Sequence, residues 1–597
     1  MSKKEHLVED RLADFTTDRR VVLLSLMSVV TGAISALVAY ALLWLIAVIT
    51  NLAYYHRFSA QTASPANNHL GVWGVLVPVV GGLLIGLMAR YGSQKIRGHG
   101  IPEALEAILI GRSQIEPKVA VLKPLSSALS IGTGGPFGAE GPIIMTGGAC
   151  GSLFAQLFHL SSAERKTLLV AGAAGGMAAV FATPVAAVLL AVELLLFEWK
   201  PRSFIPVAVS AATAAALRVP LLGGGPIFPT AAHPPLSLTV LLFALLVGLA
   251  AGLGSGLLTA LVYGFEDLFS KFRLHWMWWP AIGGLFVGIG GLINPRVLGV
   301  GYEVIHGLLR GELVGTVLLG LLIGKALVWS FSLGSGTSGG VLAPLLMMGG
   351  ALGALAARWI PVGDVGLWAL IGMAAMMGGT MRSPLTAMVF ALELTHDMNA
   401  LPGLLVGCIA AQGVTVLLLR RSILTEKLER RGHHLTREYT VDLLEVARVS
   451  EVMDKNAILI PATMKVKDLA AGMTQEATPL VRHQGALIVD DQQNLVGIIT
   501  LSDVLRAVEH HTESETTVLE AGSTDLIVTY PDELLRVAVA HMLNNDIGRL
   551  PVVSRQNPKQ VVGYLDRANV MEVRQRRFDE EHHRERPFPL LDSLSKS

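Results

Sequence analysis

Charged residues are scarce in this chain, and their scarcity is uneven. Asp, Glu, Lys and Arg make up 16% of its 597 residues, against about a quarter in average soluble domains, while 52% are hydrophobic. Residues 21–50 and 236–265 carry no formal charge at all. Each stretch exceeds the roughly 20 apolar residues that cross a bilayer as a helix. Further apolar segments, many broken by Gly and Pro, recur to about residue 419, which predicts a polytopic membrane protein.

Other absences exclude whole classes of function. The only two cysteines, Cys150 and Cys408, lie in apolar segments, so no disulfide framework is indicated. A net charge of +1 gives no basic surface for nucleic acid. No His-Glu pair occurs, which excludes a His-Glu-x-x-His metalloprotease. Acids are scattered among the apolar segments, which argues against a divalent-cation transporter, and we predict no metal site and no enzyme activity.

The apolar region contains an internal sequence duplication. Three separate segments recur at a nearly fixed offset, with matching Lys, Ser, Gly, Pro, Met and Glu positions. The matched pairs include Lys123 with Lys325, Ser130 with Ser332, Pro142 with Pro344, Met145 with Met347, Pro184 with Pro384, and Glu193 with Glu393. Such internal duplication is typical of transporter folds, whose binding site lies at the repeat interface near the membrane midplane.

Three glycine-rich segments each precede a predicted helix. They are residues 98–103, 138–142 and 336–344. Glycine lets backbone approach a ligand closely, and proline suits the first helical turn. If the three helix N-termini meet, their N–H groups would hold a dehydrated anion without a full positive charge.

Glu140 lies in the middle of the second glycine-rich segment, before a helix that we predict to begin at Pro142. A carboxylate inside an apolar region is costly and is commonly functional. When ionised it would occupy an anion site, and when protonated it would leave that site. The sequence therefore predicts that Glu140 gates an anion pathway.

These residues resemble the CLC family of chloride channels and chloride/proton antiporters. The family signatures GSGIP, GREGP and GxFxP correspond here to GHGIP at 98–102, GAEGP at 138–142 and GGVLAP at 339–344. The resemblance covers residues 20 to 430. It implies an all-α polytopic membrane protein, built as an inverted repeat of tilted and broken helices. It also implies a homodimer with one chloride pore per subunit.

The resemblance also implies roles for individual residues. Glu140 matches the gating glutamate, and Lys123 matches a buried lysine beside the pore. The remaining anion-binding positions follow from the three motifs and from the place of the family's pore tyrosine. They are Gly98, His99, Gly100, Ile101, Gly141, Val341, Leu342 and Leu424.

Several of these positions depart from the family pattern. His99 replaces a serine, so a larger and titratable donor stands at the anion site. Ala139 replaces an arginine beside the gate, and Leu424 replaces the pore tyrosine. We expect His99 to contact the anion, and we expect the inner gate and one hydroxyl donor to be absent.

Proton-coupled relatives usually carry two adjacent acids at the end of the helix after Pro184, where this chain has Glu193-Leu194. Leu194 cannot relay a proton, which favours passive, channel-like conduction. A chloride/proton antiporter remains an alternative, with Glu140, Glu193 and Glu198 as candidates for a non-standard path. For Glu193 a structural role is favoured, because Glu393 repeats it away from any pore motif. A fluoride or other anion transporter ranks lower, since fluoride exchangers typically carry Met where His99 stands.

The soluble part contains a second duplication, over residues 447–510 and 515–574. Alternating β-branched runs predict strands, and 465–473 and 533–544 predict helices. This resembles a CBS-domain pair, a regulatory α/β module that often binds adenine nucleotides such as ATP, ADP or AMP. Thr500 and Asp503 match the family's ribose-binding pattern, and Arg549 is placed to meet phosphates. Asn569 replaces the acid in the second copy, so we expect at most one nucleotide site; a purely structural, dimerising pair remains an alternative.

These segments give the predicted domain organisation. A cytoplasmic segment (1–20) precedes the membrane domain (21–430), whose repeat halves cover about 70–200 and 270–400. A linker (431–446) leads to the two CBS copies and a disordered tail (575–597). Basic residues near the N-terminus predict that both termini and the CBS pair are cytoplasmic, in a bacterial inner membrane.

Overall fold

The protein is described from a computed structural model that covers residues 19–109, 113–196, 198–431, 447–473, 485–510 and 516–572. The chain divides into two compact units, Met1–Glu438 and Tyr439–Ser597. The predicted cytoplasmic segment up to residue 18, the linker over 432–446 and the disordered tail lie outside the described residues.

The first unit is helical throughout its described part. Seven of its described helical segments are long and apolar enough to cross a membrane. Several others are short and lie buried between them. The helices are α1 Arg20–Tyr55, α2 Leu76–Tyr91, α3 Ile101–Leu109, α4 Pro117–Gly132, α5 Glu140–Gln156, α6 Ser162–Phe181, α7 Pro184–Leu190, α8 Pro201–Leu222, α9 Leu238–Ser270, α10 Trp279–Ile293, α11 Tyr302–Leu309, α12 Thr316–Gly334, α13 Leu342–Ala356, α14 Val365–Met381, α15 Pro384–Thr395, α16 Leu401–Leu418 and α17 Ile423–Arg430.

The duplication in the sequence is a duplication in the fold. Helices α5 and α6 pack closely at Gly147 and Gly172, and α13 and α14 pack in the same way at Gly349 and Gly372. In both pairs a Cβ on either glycine would overlap the carbonyl of the facing glycine. Small residues of this kind let membrane helices approach each other, and van der Waals packing then holds them.

The connections within the two halves also match. α6 ends at Ala182 with φ of 57°, and α14 ends at Arg382 with φ of 56°, so both helices close with a left-handed residue. A proline then opens the next helix, α7 in one half and α15 in the other. A π-helical turn, Ala191–Leu196, extends α7 and carries Glu193.

One helix start differs from the prediction. α5 begins at Glu140 rather than at Pro142, and Ala139 is its N-cap. The first N–H groups of a helix have no intrahelical partner, so proline is tolerated anywhere in the first turn and does not have to open it. Glu140 therefore belongs to the helix and lies at its positive end.

The second unit is α/β, as predicted. Strand β1 (Leu459–Pro461) pairs in parallel with β2 (Gly485–Val489), which pairs antiparallel with β3 (Leu495–Thr500). A second sheet pairs β4 (Arg549–Val553) antiparallel with β5 (Val561–Asp566). The described helices are α18 Val449–Val452, α19 Val466–Met473, α20 Leu501–Glu509, α21 Val518–Ala521 and α22 Leu535–Asn544. Apolar residues of these helices and strands form two cores, and a third apolar cluster contains residues of both copies.

Candidate functional site

The three glycine-rich segments meet in the structure. Gly98 pairs with Ser338, and Gly138 pairs with Gly340, as isolated backbone bridges outside any sheet. Gly340 N–H donates to the Gly138 carbonyl at 2.9 Å, and Gly138 N–H returns a bond of 3.3 Å. The starts of α3, α5 and α13 are thereby held at one place, although they are distant in sequence.

Glycine is required where the first two segments touch. A Cβ at Gly141 would collide with the carbonyl oxygen of His99. A Cβ at Gly100, whose φ is +90°, would lie 2.6 Å from the Gly141 carbonyl oxygen. No larger residue fits either position without moving backbone, so the convergence of the helix starts depends on these glycines.

Two buried lysines hold the backbone of the site in matching ways. Lys123 is fully buried, and its ammonium donates to the carbonyls of Ile96 at 2.8 Å and Gly98 at 2.7 Å. Lys325 is also fully buried and donates to Val297 at 2.9 Å and Gly299 at 3.0 Å. Each lysine thus fixes the loop before a short helix, α3 in one half and α11 in the other.

Glu140 is fully buried at the centre of this arrangement. Its Oε1 accepts a hydrogen bond from the Ala343 N–H at 3.1 Å, and its carboxylate also interacts with the Leu342 N–H. These groups belong to the first turn of α13, where backbone donors and the helix dipole favour an anion. Among the described residues, Oε2 has no hydrogen-bond partner. The carboxylate therefore accepts from backbone donors of the kind that bind anions at helix N-termini.

Val341 and Leu342 are fully buried at the N-terminus of α13, and Ile101 is fully buried at the start of α3. His99 is only 3% exposed, and its Nδ1 forms no hydrogen bond within the described part of the chain. The Gly100 N–H donates to Oε2 of Glu103 at 2.9 Å, so that donor is occupied. The backbone of His99 is thus part of the convergence, whereas its imidazole is uncommitted.

Leu424 lies fully buried in the first turn of α17. A hydroxyl that sequence reasoning missed comes close to this point from α9. Tyr263 is 6% exposed, and its hydroxyl donates to the carbonyl of Ile423 at 2.5 Å. Tyr263 of α9 therefore lies near Leu424. Its hydroxyl donates to a backbone carbonyl, so this donor is not free to bind an anion.

The candidate proton carriers Glu193 and Glu198 both have hydrogen-bond partners near the starts of helices. Glu193 accepts from the N–H groups of Leu385 and Thr386 at the start of α15, at 3.3 and 2.8 Å. Glu198 accepts from the Ser203 hydroxyl at 2.6 Å, near the start of α8. Leu194 is fully buried in the apolar core. Glu193 and Glu198 are thus hydrogen-bonded to groups near helix starts, and Leu194, which lies between them in the sequence, has a hydrocarbon side chain.

Tyr302 was also missed by sequence reasoning. It opens α11 at the position equivalent to Ile101, after Gly299 and Gly301, which repeat the spacing of Gly98 and Gly100. Its ring packs edge-on against Phe228 with centroids 5.6 Å apart, and its buried hydroxyl has no described partner. The repeated Gly-x-Gly pattern was the available signal, since it extends the duplication to this segment.

In the soluble unit, Thr500 and Asp503 form the N-terminus of α20. Oδ2 of Asp503 accepts from the Thr500 N–H at 2.9 Å and from its hydroxyl at 2.7 Å. Gly485 pairs with Thr500 across the sheet, and a Cβ at Gly485 would lie 3.3 Å from both Cδ of Arg549 and the Tyr564 hydroxyl. Burial raises the pKa of Tyr564 to about 12, so the hydroxyl stays protonated. Arg549, at the start of β4 in the second sheet, therefore lies close to the residue of the first sheet that pairs with Thr500.

Comparison with known proteins covers both units. The model of the voltage gated chloride channel family matches residues 81–416, and the CBS domain model matches residues 449–510 and 518–576. The voltage-gated ClC-type chloride channel ClcB of Citrobacter koseri is 32% identical over 370 residues, which are 60% of this chain and 88% of that protein.

Two solved structures have the same fold at lower identity. A slow cyanobacterial Cl⁻/H⁺ antiporter aligns with a TM-score of 0.60 at 22% identity, covering 70% of this chain and 98% of that one. A eukaryotic CLC transporter aligns with a TM-score of 0.57 at 20% identity, covering 92% and 98%. The predicted fold class is confirmed by these matches. The chain belongs to the voltage-gated chloride channel (CLC) family of membrane anion transport proteins and carries a C-terminal CBS-domain pair.

Proposed function

We propose that this protein conducts chloride passively across the membrane, through a pathway that Glu140 closes when ionised. The observation that carries the proposal is the bond between the Glu140 carboxylate and the first turn of α13. An ionised carboxylate and a chloride ion compete there for the same backbone donors. Protonation or displacement of Glu140 would free the donors for chloride, with Gly98, Gly100, Gly141 and Val341 as surrounding backbone.

Passive conduction, rather than coupled exchange, is supported by the surroundings of Leu194. Its side chain offers no proton acceptor, and the neighbouring acids are already bonded to helix starts. From the similarity to the CLC family we also propose a homodimer with one anion pathway per subunit. We also propose a bacterial inner-membrane location with the termini and the CBS pair in the cytoplasm.

The test is chloride efflux from proteoliposomes, recorded together with external pH, with and without a protonophore. We expect chloride to leave when only a potassium ionophore balances the charge, with no proton movement matched to it. Proton movement against its gradient, driven by chloride, would replace this proposal with the chloride/proton antiporter and direct attention to His99 and Glu198. Faster efflux of fluoride than of chloride from matched vesicles would favour the fluoride alternative.

We further propose that the CBS pair binds one adenine nucleotide at the end of β3. Asp503 and Thr500 would meet the ribose, and Arg549 the phosphates, since a guanidinium suits phosphate geometry. The Asp503 carboxylate currently bonds to Thr500, so a ribose hydroxyl would add to or replace that bond. The nucleotide would act on transport as a regulator.

Replacing Asp503 by alanine should weaken nucleotide binding. Calorimetric titration of the purified full chain with ATP, ADP and AMP measures it, and we expect an affinity loss of at least about tenfold. Glu520→Ala is the matched control, because Glu520 caps α21 by bonding to Thr517 in the same way. Both variants lose a helix cap worth ~1 kcal/mol, and only the first should lose the nucleotide. Equal nucleotide affinity of the Asp503→Ala and Glu520→Ala variants would show that the nucleotide does not bind at Asp503.

A further inference from the structure

A cavity of about 560 Å³ lies in the first unit, beside the convergent glycine-rich segments. Gly98 and His99 from the first segment and Gly336 from the third are among the residues that line it. Residues of α9 and α17 form other parts of the wall, among them Tyr263. An ion in this cavity would therefore be next to the backbone that surrounds Glu140.

Most basic side chains on the cavity wall are neutralised by carboxylates. Lys427 pairs with Glu103 at 2.9 Å, and Arg431 pairs with Glu103 at 3.2 Å and also with Glu106. Two further pairs are Arg430 with Asp267, at 2.5 Å, and Lys95 with Glu116, at 2.7 Å. These cations contribute little net charge to the cavity.

Arg97 is different. Within the described part of the chain its guanidinium forms no ion pair, and its buried Nε has no hydrogen-bond partner. Glu266 is the carboxylate that attracts it most, over a distance too long for an ion pair. The guanidinium is held by aromatic rings, with its carbon 4.8 Å from the centroid of Trp276 and 5.7 Å from that of Trp279.

The packing around Arg97 places this group against the third glycine-rich segment. A Cβ at Gly336, whose φ is +81°, would lie 2.5 Å from Nη2 of Arg97. Stacking on Trp stabilises a cation without consuming its N–H donors. The guanidinium is thus fixed in place while its buried Nε lacks a described hydrogen-bond partner, which is costly for a partly buried charge unless a ligand completes it.

The duplication indicates that this cation is not needed for the fold. Lys123 and Lys325 hold equivalent loops, and the residue equivalent to Arg97 in the second half is Leu298. Leu298 is 5% exposed and packs in an apolar cluster. The same backbone is therefore built with a hydrocarbon in one half and with a charge, facing a cavity, in the other.

We propose that Arg97 binds the permeating anion in this cavity, before it reaches the donors at Glu140. The inference rests on the proposed function and adds a second binding position to it. A guanidinium is weakly hydrated and offers several donors in a plane, so it suits chloride and planar anions such as nitrate better than strongly hydrated fluoride. Arg97 thereby contributes to selectivity as well as to capture.

The experiment measures exchange of radiolabelled chloride in proteoliposomes with equal chloride on both faces, over a range of concentrations. Arg97→Gln should raise the half-saturating chloride concentration by about fivefold or more, because a charge-assisted contact is lost. Arg97→Lys should keep most of the chloride affinity and lose preference for nitrate over chloride. Lys95→Gln is the matched control, since it removes one charge from the same cavity but from a paired side chain.

The outcomes separate this inference from the function on which it rests. A wild-type protein with no saturable chloride exchange would overturn the proposed function. Wild-type exchange with the same half-saturation in Arg97→Gln and in Lys95→Gln would overturn the role of Arg97 alone. If Arg97→Gln does not fold, Arg97→Lys still decides, because unchanged nitrate preference in that variant contradicts the proposal.

Discussion

Glu140→Gln should raise chloride flux at pH 8 by on the order of tenfold, which corresponds to a closed state favoured by ~1.4 kcal/mol. The ionised carboxylate binds the α13 donors in competition with chloride. In the wild type, protonation removes that charge, so flux should rise as pH falls. Glutamine resembles the protonated acid at every pH, so the variant should conduct at a high rate that no longer depends on pH.

The effect is measured as chloride efflux rates across a pH series. They are compared between Glu140→Gln and a control variant that loses a carboxylate outside the pathway. Glu312→Gln is suited, because Glu312 is exposed, pairs with Arg310 away from the cavity and makes the same change in charge. That control should keep both the wild-type rate and the wild-type pH dependence. A Glu140→Gln protein whose flux still rises on acidification would show that another group gates the pathway.

The sequence predicted the parts of this site that depend on local pattern. Glycine spacing, the prolines after it and the fixed repeat offset locate three helix starts and one acid among them. The structure brings those starts together through bonds such as Gly138 with Gly340. The side-chain contacts of the site were not predicted, because the local sequence pattern does not specify them.

Arg97 shows why some of the site was not predicted. In the sequence it is one basic residue in a short polar run, with Lys95 close by. What distinguishes it is three-dimensional: two tryptophans from a distant segment hold it, and most carboxylates around it, though not Glu266, are bonded to other cations. Tyr302 was missed for a related reason, since its importance depends on a repeat pairing that is recognisable only once the Lys325 loop is seen to match the Lys123 loop.

Glu193 and Glu393 provide the second large expected effect, through the stability of the repeat interface. Glu193, in the turn after α7, accepts from the N–H groups that open α15. Glu393, near the end of α15, accepts from the N–H groups of Val185 and Ala186 that open α7, at 3.0 and 2.8 Å. Each half of the repeat thus caps a helix of the other half. A carboxylate at a helix N-terminus satisfies backbone donors and interacts favourably with the helix dipole.

Replacing either glutamate by alanine should lower the free energy of unfolding by ~2–3 kcal/mol, because at least two charge-assisted hydrogen bonds are lost and helix donors are left unpaired. Denaturation of the purified protein in detergent, followed by helical circular dichroism, measures the loss. The double variant should deviate from additivity, since the two caps share the same pair of helices. Full additivity of the two losses would mean that the caps act independently.

The same pair of residues separates a structural role from proton transport. If Glu193 acts only as a cap, Glu193→Gln and Glu393→Gln should lose similar stability, and neither should change the ratio of protons to chloride moved. If Glu193 carries protons, Glu193→Gln alone should change that ratio, because Glu393 occupies the equivalent place in the other half. The repeat therefore supplies its own control: two carboxylates with matching backbone partners, of which the proton hypothesis requires only one.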